Sequence, residues 1–316
     1  MVLTPISPVI VYENGKSGFL GEHSCMDGTP TLRMHDFMLG SLAAGKIDLS
    51  PARTARTASN LPAPIELGFT LDSKTETNIR EAEKRFDALV AEHDMHVLHY
   101  EGYGKELIKK FKASPDAWAQ LVKQLAFHRM FGRPGVCYES AQTRKYRLGR
   151  TEVIRSASNE SKAWAEAMDD ASKTDEQRAE LFRKAVSRHL TYAGWAADGQ
   201  GVDRHLFGLK RMLKEGEKLP EIYEDAAFGR TNHWELSTSQ LSSPFVDGWG
   251  YGEGELSLVD SVVILANATL FQSCPMATAC RTLSVTNLSA GRSPAVVARR
   301  LSSGITLRTQ RRTYAR

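Results

Sequence analysis

No run of about twenty apolar residues occurs anywhere in this 316-residue chain, so its sequence predicts no transmembrane helix. Cysteine is scarce: Cys25, Cys137, Cys274 and Cys280 are scattered, with neither disulfide-framework nor zinc spacing, which fits a reducing compartment. The opening Met-Val-Leu-Thr-Pro-Ile lacks a basic n-region and a small-residue cleavage site, so secretion is not expected and the default location is cytoplasmic. From Ser261 to Arg316 there is no lysine, aspartate or glutamate, only eight arginines. The 41 basic residues include those eight, leaving 33 against 37 acids before them, so the overall charge of +4 conceals a net −4 over the first 260 residues. Two chemically different segments therefore meet near residue 254. The arginine-rich segment, 254–316, has no clear amphipathic period. It reads either as a basic arm for nucleic acid or a membrane surface, or as a disordered, non-native tail that stands apart from the fold. Its complete lack of lysine and acids favours the tail, and no nucleic-acid partner is expected.

What is present is an ordinary globular composition, 41% hydrophobic and 25% charged, enough for two modest domains or one large one. Val9–Tyr12 and Gly18–Gly21 read as strands around the Asn14-Gly15 turn, a hairpin signal. Thr31 to Leu42 reads as a short helix, and Ser50 to Pro64, with Pro51, Pro62 and Pro64, as a linker. Beyond it, Lys74 to His93 places Ile79, Phe86, Leu89 and Val90 on one helical face, and Met95 to Tyr100 reads as a strand. Ser114-Pro115-Asp116 opens a helix that should bury Trp118, Leu121, Val122 and Leu125 and stop near Gly132. Thr174-Asp-Glu-Gln177 is a capping box opening a long helix to about Gly199, and Asp203 is a candidate cap for the next. His233 to Ser239 reads as a strand. This alternation predicts an α/β domain with helices packed on a sheet.

The chemically suggestive motif is His23-Ser24-Cys25-Met26-Asp27-Gly28. A neutral imidazole titrates near physiological pH and can take a proton from an alcohol or thiol as it attacks a carbonyl, but a hexapeptide alone is weak. It is joined by Tyr103-Gly-Lys105 with Lys109, Ser114-Pro-Asp116-Ala-Trp118, Tyr138-Glu-Ser140-Ala, Leu148-Gly-Arg150-Thr151 through Ser156, Asp203-Arg204-His-Leu206 and Leu236-Ser237-Thr-Ser239-Gln240. In this order and spacing the chain resembles the choline/carnitine O-acyltransferase family from about Val9 to about Glu253, most of all its acetyl-transferring, carnitine-using members.

The resemblance implies a mixed sheet with flanking helices, like that of chloramphenicol acetyltransferase. Residues 1–60 are then a remnant of a first domain carrying the catalytic histidine, and 65–253 a second domain. It implies reversible transfer of a short acyl group between CoA and carnitine, with His23 as general base and Ser239 as oxyanion donor. Transfer is direct, so no nucleophilic Ser or Cys is needed and Cys25 has no role. Arg204, Tyr138, Ser140, Thr151 and Ser237 become the carnitine positions, where a guanidinium fork and hydroxyls suit the carboxylate that choline lacks. Lys105, Lys109, Asp116 and Gln240 become the CoA positions, although Leu190 stands where many relatives carry an arginine for CoA. Asp27, held by Arg150, would brace the loop carrying His23, and Trp249 would border a short acyl pocket. CoA is a co-substrate, no resident cofactor or metal is implied, and a monomer is expected. The competing expectation is a truncated, catalytically inactive fragment that retains CoA or carnitine binding. His93, His96 and His99 lack a converging carboxylate or thiol for a metal. Gly250-Tyr-Gly252-Glu-Gly254 opens no amphipathic helix and so is not a nucleotide loop.

Overall fold

The computed structural model describes residues 9–15, 17–19, 26–47, 65, 68–91, 102–239, 243–245, 251–253 and 266–268. The expected strand at 95–100 lies outside the described residues, as do the histidines at 93, 96 and 99.

Strands β1 (Val9–Val11) and β2 (Ser17–Phe19) pair antiparallel, with Val9 opposite Phe19. Gly15 supplies the positive φ of 78° in the turn between them, which a residue without a Cβ adopts freely. Helix α1 (Gly28–Ala43) follows, starting three residues earlier than expected. Helix α2 (Ser73–Ala91) carries the amphipathic stripe read from the sequence, yet Ile79, Phe86, Leu89 and Val90 are all exposed.

The core lies in the next four helices. α3 (Lys105–Lys110) leads into α4 (Pro115–Phe131). Ser114 accepts from Ala117 N at 3.3 Å, Pro115 occupies the first turn, and Gly132 ends the helix in the left-handed region at φ 70°. Strands β3 (Cys137–Gln142) and β4 (Thr151–Ile154) form a hairpin, then come α5 (Asn159–Asp169) and α6 (Asp175–Ala197). The capping box is present, with Thr174 and Gln177 each bonding the other's backbone N–H. Trp118, Leu121, Leu125, Trp164, Phe182 and Val186 pack into one cluster in which Trp164 is wholly buried. Phe182 sits edge-on to Trp118, with centroids 5.2 Å apart.

Helix α7 (Asp203–Arg211) is not capped by Asp203 as expected. Val202 occupies the cap position without a side-chain bond, and the Asp203 carboxylate is taken by Arg155 instead. After a short 3-10 turn and α8 (Ala226–Thr231) comes β5 (Leu236–Thr238), in the later half of the expected strand, then β6 (Tyr251–Glu253) and β7 (Ala266–Ala268). β7 pairs with β2 to make a three-stranded sheet.

The main sheet is open and mixed, ordered β4-β3-β5-β6, with β3 and β5 parallel and the outer pairs antiparallel. Strand alternation sorts its faces. Cys137, Glu139 and Ala141 turn to the buried side, with α4 and α6 packed behind, while Tyr138, Ser140 and Gln142 turn to the other. The protein is thus mixed α/β with helices flanking an open sheet. Among the described residues, no helix is long and apolar enough to cross a membrane.

Candidate active site

The open face of β3, the outer edge of β4 and the start of α7 meet around one guanidinium. Arg204 Nη2 donates to Thr151 Oγ1 at 3.1 Å and to the Tyr138 hydroxyl at 3.3 Å, while Nε donates to the Thr151 carbonyl at 3.3 Å. β4 is an edge strand, so its unpaired carbonyl is free to receive this bond. Three of the five guanidinium hydrogens are used in this way. Both Nη1 hydrogens remain without a partner among the described residues, on a side chain that is itself exposed.

Ser140 Oγ donates to the same Tyr138 hydroxyl at 3.3 Å. With that oxygen accepting from Ser140 and Arg204, the phenolic hydrogen of Tyr138 is left to donate outward. Ser237 on β5 stands directly opposite Tyr138 in the parallel register and is buried. The result is a compact set of hydroxyl and guanidinium donors, the complement of a carboxylate.

Glu152, buried beneath the edge, accepts from the backbone N–H of Arg204 at 3.3 Å and from Val153 N at 2.7 Å, anchoring the first turn of α7. Gly201 permits this approach, since a Cβ there would lie 2.4 Å from Glu152 Cγ. β5 is fixed by Thr238, whose hydroxyl donates to the Tyr138 carbonyl at 2.7 Å and accepts from Gln120 of α4 at 2.9 Å. Ser239, half-buried, lies just beyond the end of that strand.

Lys105 and Lys109 are exposed and one turn apart on α3, where Lys109 also reaches Glu106 at 3.4 Å. α3 is docked on α4 through Phe111 stacked on Trp118 and through Tyr103, whose hydroxyl accepts from Trp118 Nε1 at 3.0 Å. Arg150 donates to the Asp27 carboxylate through Nη2 at 2.9 Å and Nε at 3.3 Å, tying the start of α1 to the β3–β4 hairpin. His23, Gln240 and Trp249 lie outside the described residues, as does Cys25.

Behind the sheet is a polar cluster in which Asp116, expected as a CoA position, is joined by Glu139 and His189, to which the sequence reading gave no role. His189 Nε2 lies 2.8 Å from Glu139 Oε2 and 4.0 Å from Asp116 Oδ2. Burial pulls the His189 pKa down, but the bond to Glu139 and the charges of Glu139 and Asp116 outweigh it, so the net shift is upward. Burial first, and then the Glu139 charge, push the Asp116 carboxyl up to about 7. One ligand atom from each of the three falls within 4.8 Å of the others, as a cation site would require. However, His189 already spends Nε2 on Glu139, and the positive charge of Lys123 acts on both Asp116 and His189, so a cation here would meet charge already present. The sequence held a signal for it: His189 continues the buried stripe Phe182, Ala185, Val186 at helical spacing. Cys137, also buried, has its thiol pushed up to about 12 by burial, which leaves it chemically quiet.

Residues 7–255 match the family model described as Choline/Carnitine o-acyltransferase. The chain is 40% identical over 248 residues to Carnitine O-acetyltransferase, mitochondrial, of Saccharomyces cerevisiae, covering 77% of this chain and 37% of that protein. It is 36% identical over 233 residues to human Carnitine O-acetyltransferase, covering 73% and 36%. It is also 34% identical over 259 residues to Carnitine O-palmitoyltransferase 2, mitochondrial, of Xenopus tropicalis, covering 78% and 39%. The chain spans a little over a third of the length of these curated relatives. With four fifths of its residues inside the family match and the donor cluster built from those same segments, this chain belongs to the choline/carnitine O-acyltransferase family.

Proposed function

We propose that this chain carries the carnitine- and CoA-binding part of an acyltransferase site, at which a short acyl group passes reversibly between CoA and the carnitine hydroxyl. The observation that carries the reading is the convergence of Arg204, Thr151, Tyr138 and Ser140, brought from positions far apart in sequence, into one set of hydrogen-bond donors. Such a set suits an anionic substrate like carnitine better than choline, which has no carboxylate. Ser237 completes the substrate side. Lys105, Lys109, Asp116 and Gln240 serve CoA, whose phosphates suit the exposed lysines.

In the forward direction, His23 takes the proton of the carnitine hydroxyl as that oxygen attacks the thioester carbonyl. The Ser239 hydroxyl donates to the oxyanion, and collapse expels the CoA sulfur, which recovers the proton from His23. Asp27, paired with Arg150, braces the loop that holds the imidazole. Trp249 fills the space a long acyl chain needs, which limits transfer to short groups. The arrangement follows a chloramphenicol-acetyltransferase-like plan, with 1–60 contributing from a first domain.

The test is thiol release from acetyl-CoA with L-carnitine or choline as acceptor. The parent should turn over carnitine. Arg204→Ala should raise KM for carnitine by at least ~100-fold and alter choline use little, as loss of a charged contact to the carboxylate implies. Binding of both carnitine and CoA without turnover would instead favour the inactive binding module. Binding of neither overturns the reading.

A further inference from the structure

We propose that Arg155 is a positioning residue for the anion subsite, holding Arg204 and Tyr138 together through a closed ring of contacts. This rests on reading Tyr138, Thr151 and Arg204 as that subsite. Arg155 touches none of the proposed substrate positions through its guanidinium, yet each of its three nitrogens is engaged. Nε and Nη2 donate to the two Asp203 oxygens at 3.1 and 2.6 Å. Nη1 donates to the Thr231 carbonyl at 2.6 Å, and Nη2 also reaches Asn232 Oδ1 at 3.1 Å.

Its planar cation lies over the Trp234 ring, 4.7 Å from the centroid. Trp234 in turn meets Tyr138 edge-to-face, with centroids 5.4 Å apart at 72°. The ring closes through Tyr138, whose hydroxyl accepts from Arg204, the residue next to Asp203. A single side chain therefore sets both the start of α7, from which Arg204 projects, and the aromatic wall behind its partner Tyr138.

The pair is unlike the surface ion pairs of this protein, which contribute little. The Asp203 side chain is 8% exposed and that of Arg155 24%, and the bidentate fork fixes direction as well as distance. A lysine could carry the charge. It could not bond both Asp203 oxygens, Thr231 and Asn232 at once while covering an indole. Arg204 is long and exposed, and misplacing a recognition group by about 1 Å is enough to lose binding or rate. The rigid ring behind it limits that freedom before any ligand arrives.

The experiment reads the arginine Nε–Hε resonances of the full-length, 15N-labelled chain, with the Arg204 signal assigned from Arg204→Lys. In Arg155→Lys and in Asp203→Asn, the Arg204 signal should move toward the free-arginine position and its exchange with water should speed up ~tenfold or more, as expected for lost protection. Arg129, bonded to Asp169 away from the site, should not change. Should Arg155→Lys fail to fold, Trp234→Leu, which removes the ring shared by Arg155 and Tyr138, is read in the same way. An unchanged Arg204 signal in folded variants overturns the proposal.

Titration with L-carnitine and choline adds a second reading: carnitine binding should weaken by ~tenfold in Arg155→Lys and choline binding should not. Equal losses for both ligands would make Arg155 a fold residue only. If the parent binds no carnitine, the proposed function falls, while the ligand-free spectra still decide whether Arg155 positions Arg204.

Discussion

His189 and Glu139 are hydrogen-bonded at 2.8 Å on the reverse of the same strand residues that present Tyr138 and Ser140 to the open face. Because side chains alternate along a strand, a force on Glu139 is a force on the donors beside it. Removing the imidazole leaves a buried carboxylate without its partner, a change that costs about 3 kcal/mol or more in such settings. His189→Ala should lower the unfolding free energy by roughly that amount in urea titrations, and His189→Gln by about half, because an amide can still donate to Glu139.

The same cluster fixes a pH dependence. Asp116 has its folded pKa raised to about 7 from an ordinary 3.8, so ionising it costs the folded state more than the unfolded one. That cost appears as pH rises above 3.8 and is complete above 7. His189, raised above 6.5, adds stability that is full below 6.5 and is lost as pH rises through its folded value. Both effects have one sign: stability falls with rising pH across this window. Asp116→Asn should flatten the curve and stabilise the protein at pH 8 by on the order of 1 kcal/mol, discounted for the part of Asp116 that water reaches. Denaturation midpoints between pH 5 and 8 measure it, and a parallel pair of curves would refute it.

Gly149 offers a backbone test. A Cβ there would lie 1.9 Å from the Thr143 carbonyl oxygen, so the tip of the β3–β4 hairpin must open to admit it. Gly149→Ala should cost about 1–3 kcal/mol, the range for overpacking, and should disturb Thr151 two residues on. Thermal unfolding gives the first quantity and amide exchange at Thr151 the second.

Thr238→Val removes a hydroxyl that bonds both the Tyr138 carbonyl and Gln120, while leaving the shape nearly unchanged. Gln120 is 1% exposed, so its amide has no water to turn to. The expected loss is about 1–3 kcal/mol, and the double variant Thr238→Val with Gln120→Leu should recover part of it.

Local chemistry was legible in the sequence where its partners are close along the chain. Ser114 with Pro115, Thr174 with Gln177, and Asn14 with Gly15 each act within a few residues, and each marks its element. Asp203 was misread for the opposite reason: a cap is a local expectation, and Arg155, 48 positions away, outcompetes it for the carboxylate. Periodicity placed Ile79, Phe86, Leu89 and Val90 on one face of α2 but could not say whether that face is covered, and all four are exposed. The grouping of Tyr138, Ser140, Thr151, Arg204 and Ser237 came from family resemblance, since no spacing rule connects strands to a helix start across such distances. Glu139, Glu152 and Arg155 carry no signal of their own, because a charged residue in a sequence looks like surface until its buried partner is known.

Thr238 and Tyr138, whose strands pair in parallel, are 100 positions apart. Closing a loop of that length is an entropic toll met before the contacts reward it, and parallel pairing adds no tight turn to assist. The helical cluster of α4, α5 and α6 is local by comparison and has its own aromatic core. The connectivity therefore favours an order of assembly in which the helices form first and β5, with β6 on its outer side, joins β3 later. The setting of Tyr138 is then completed late: a ribosome-bound chain that ends before Leu236 already contains Tyr138, Thr151 and Arg204 but not yet the strand that sets the first of them in place.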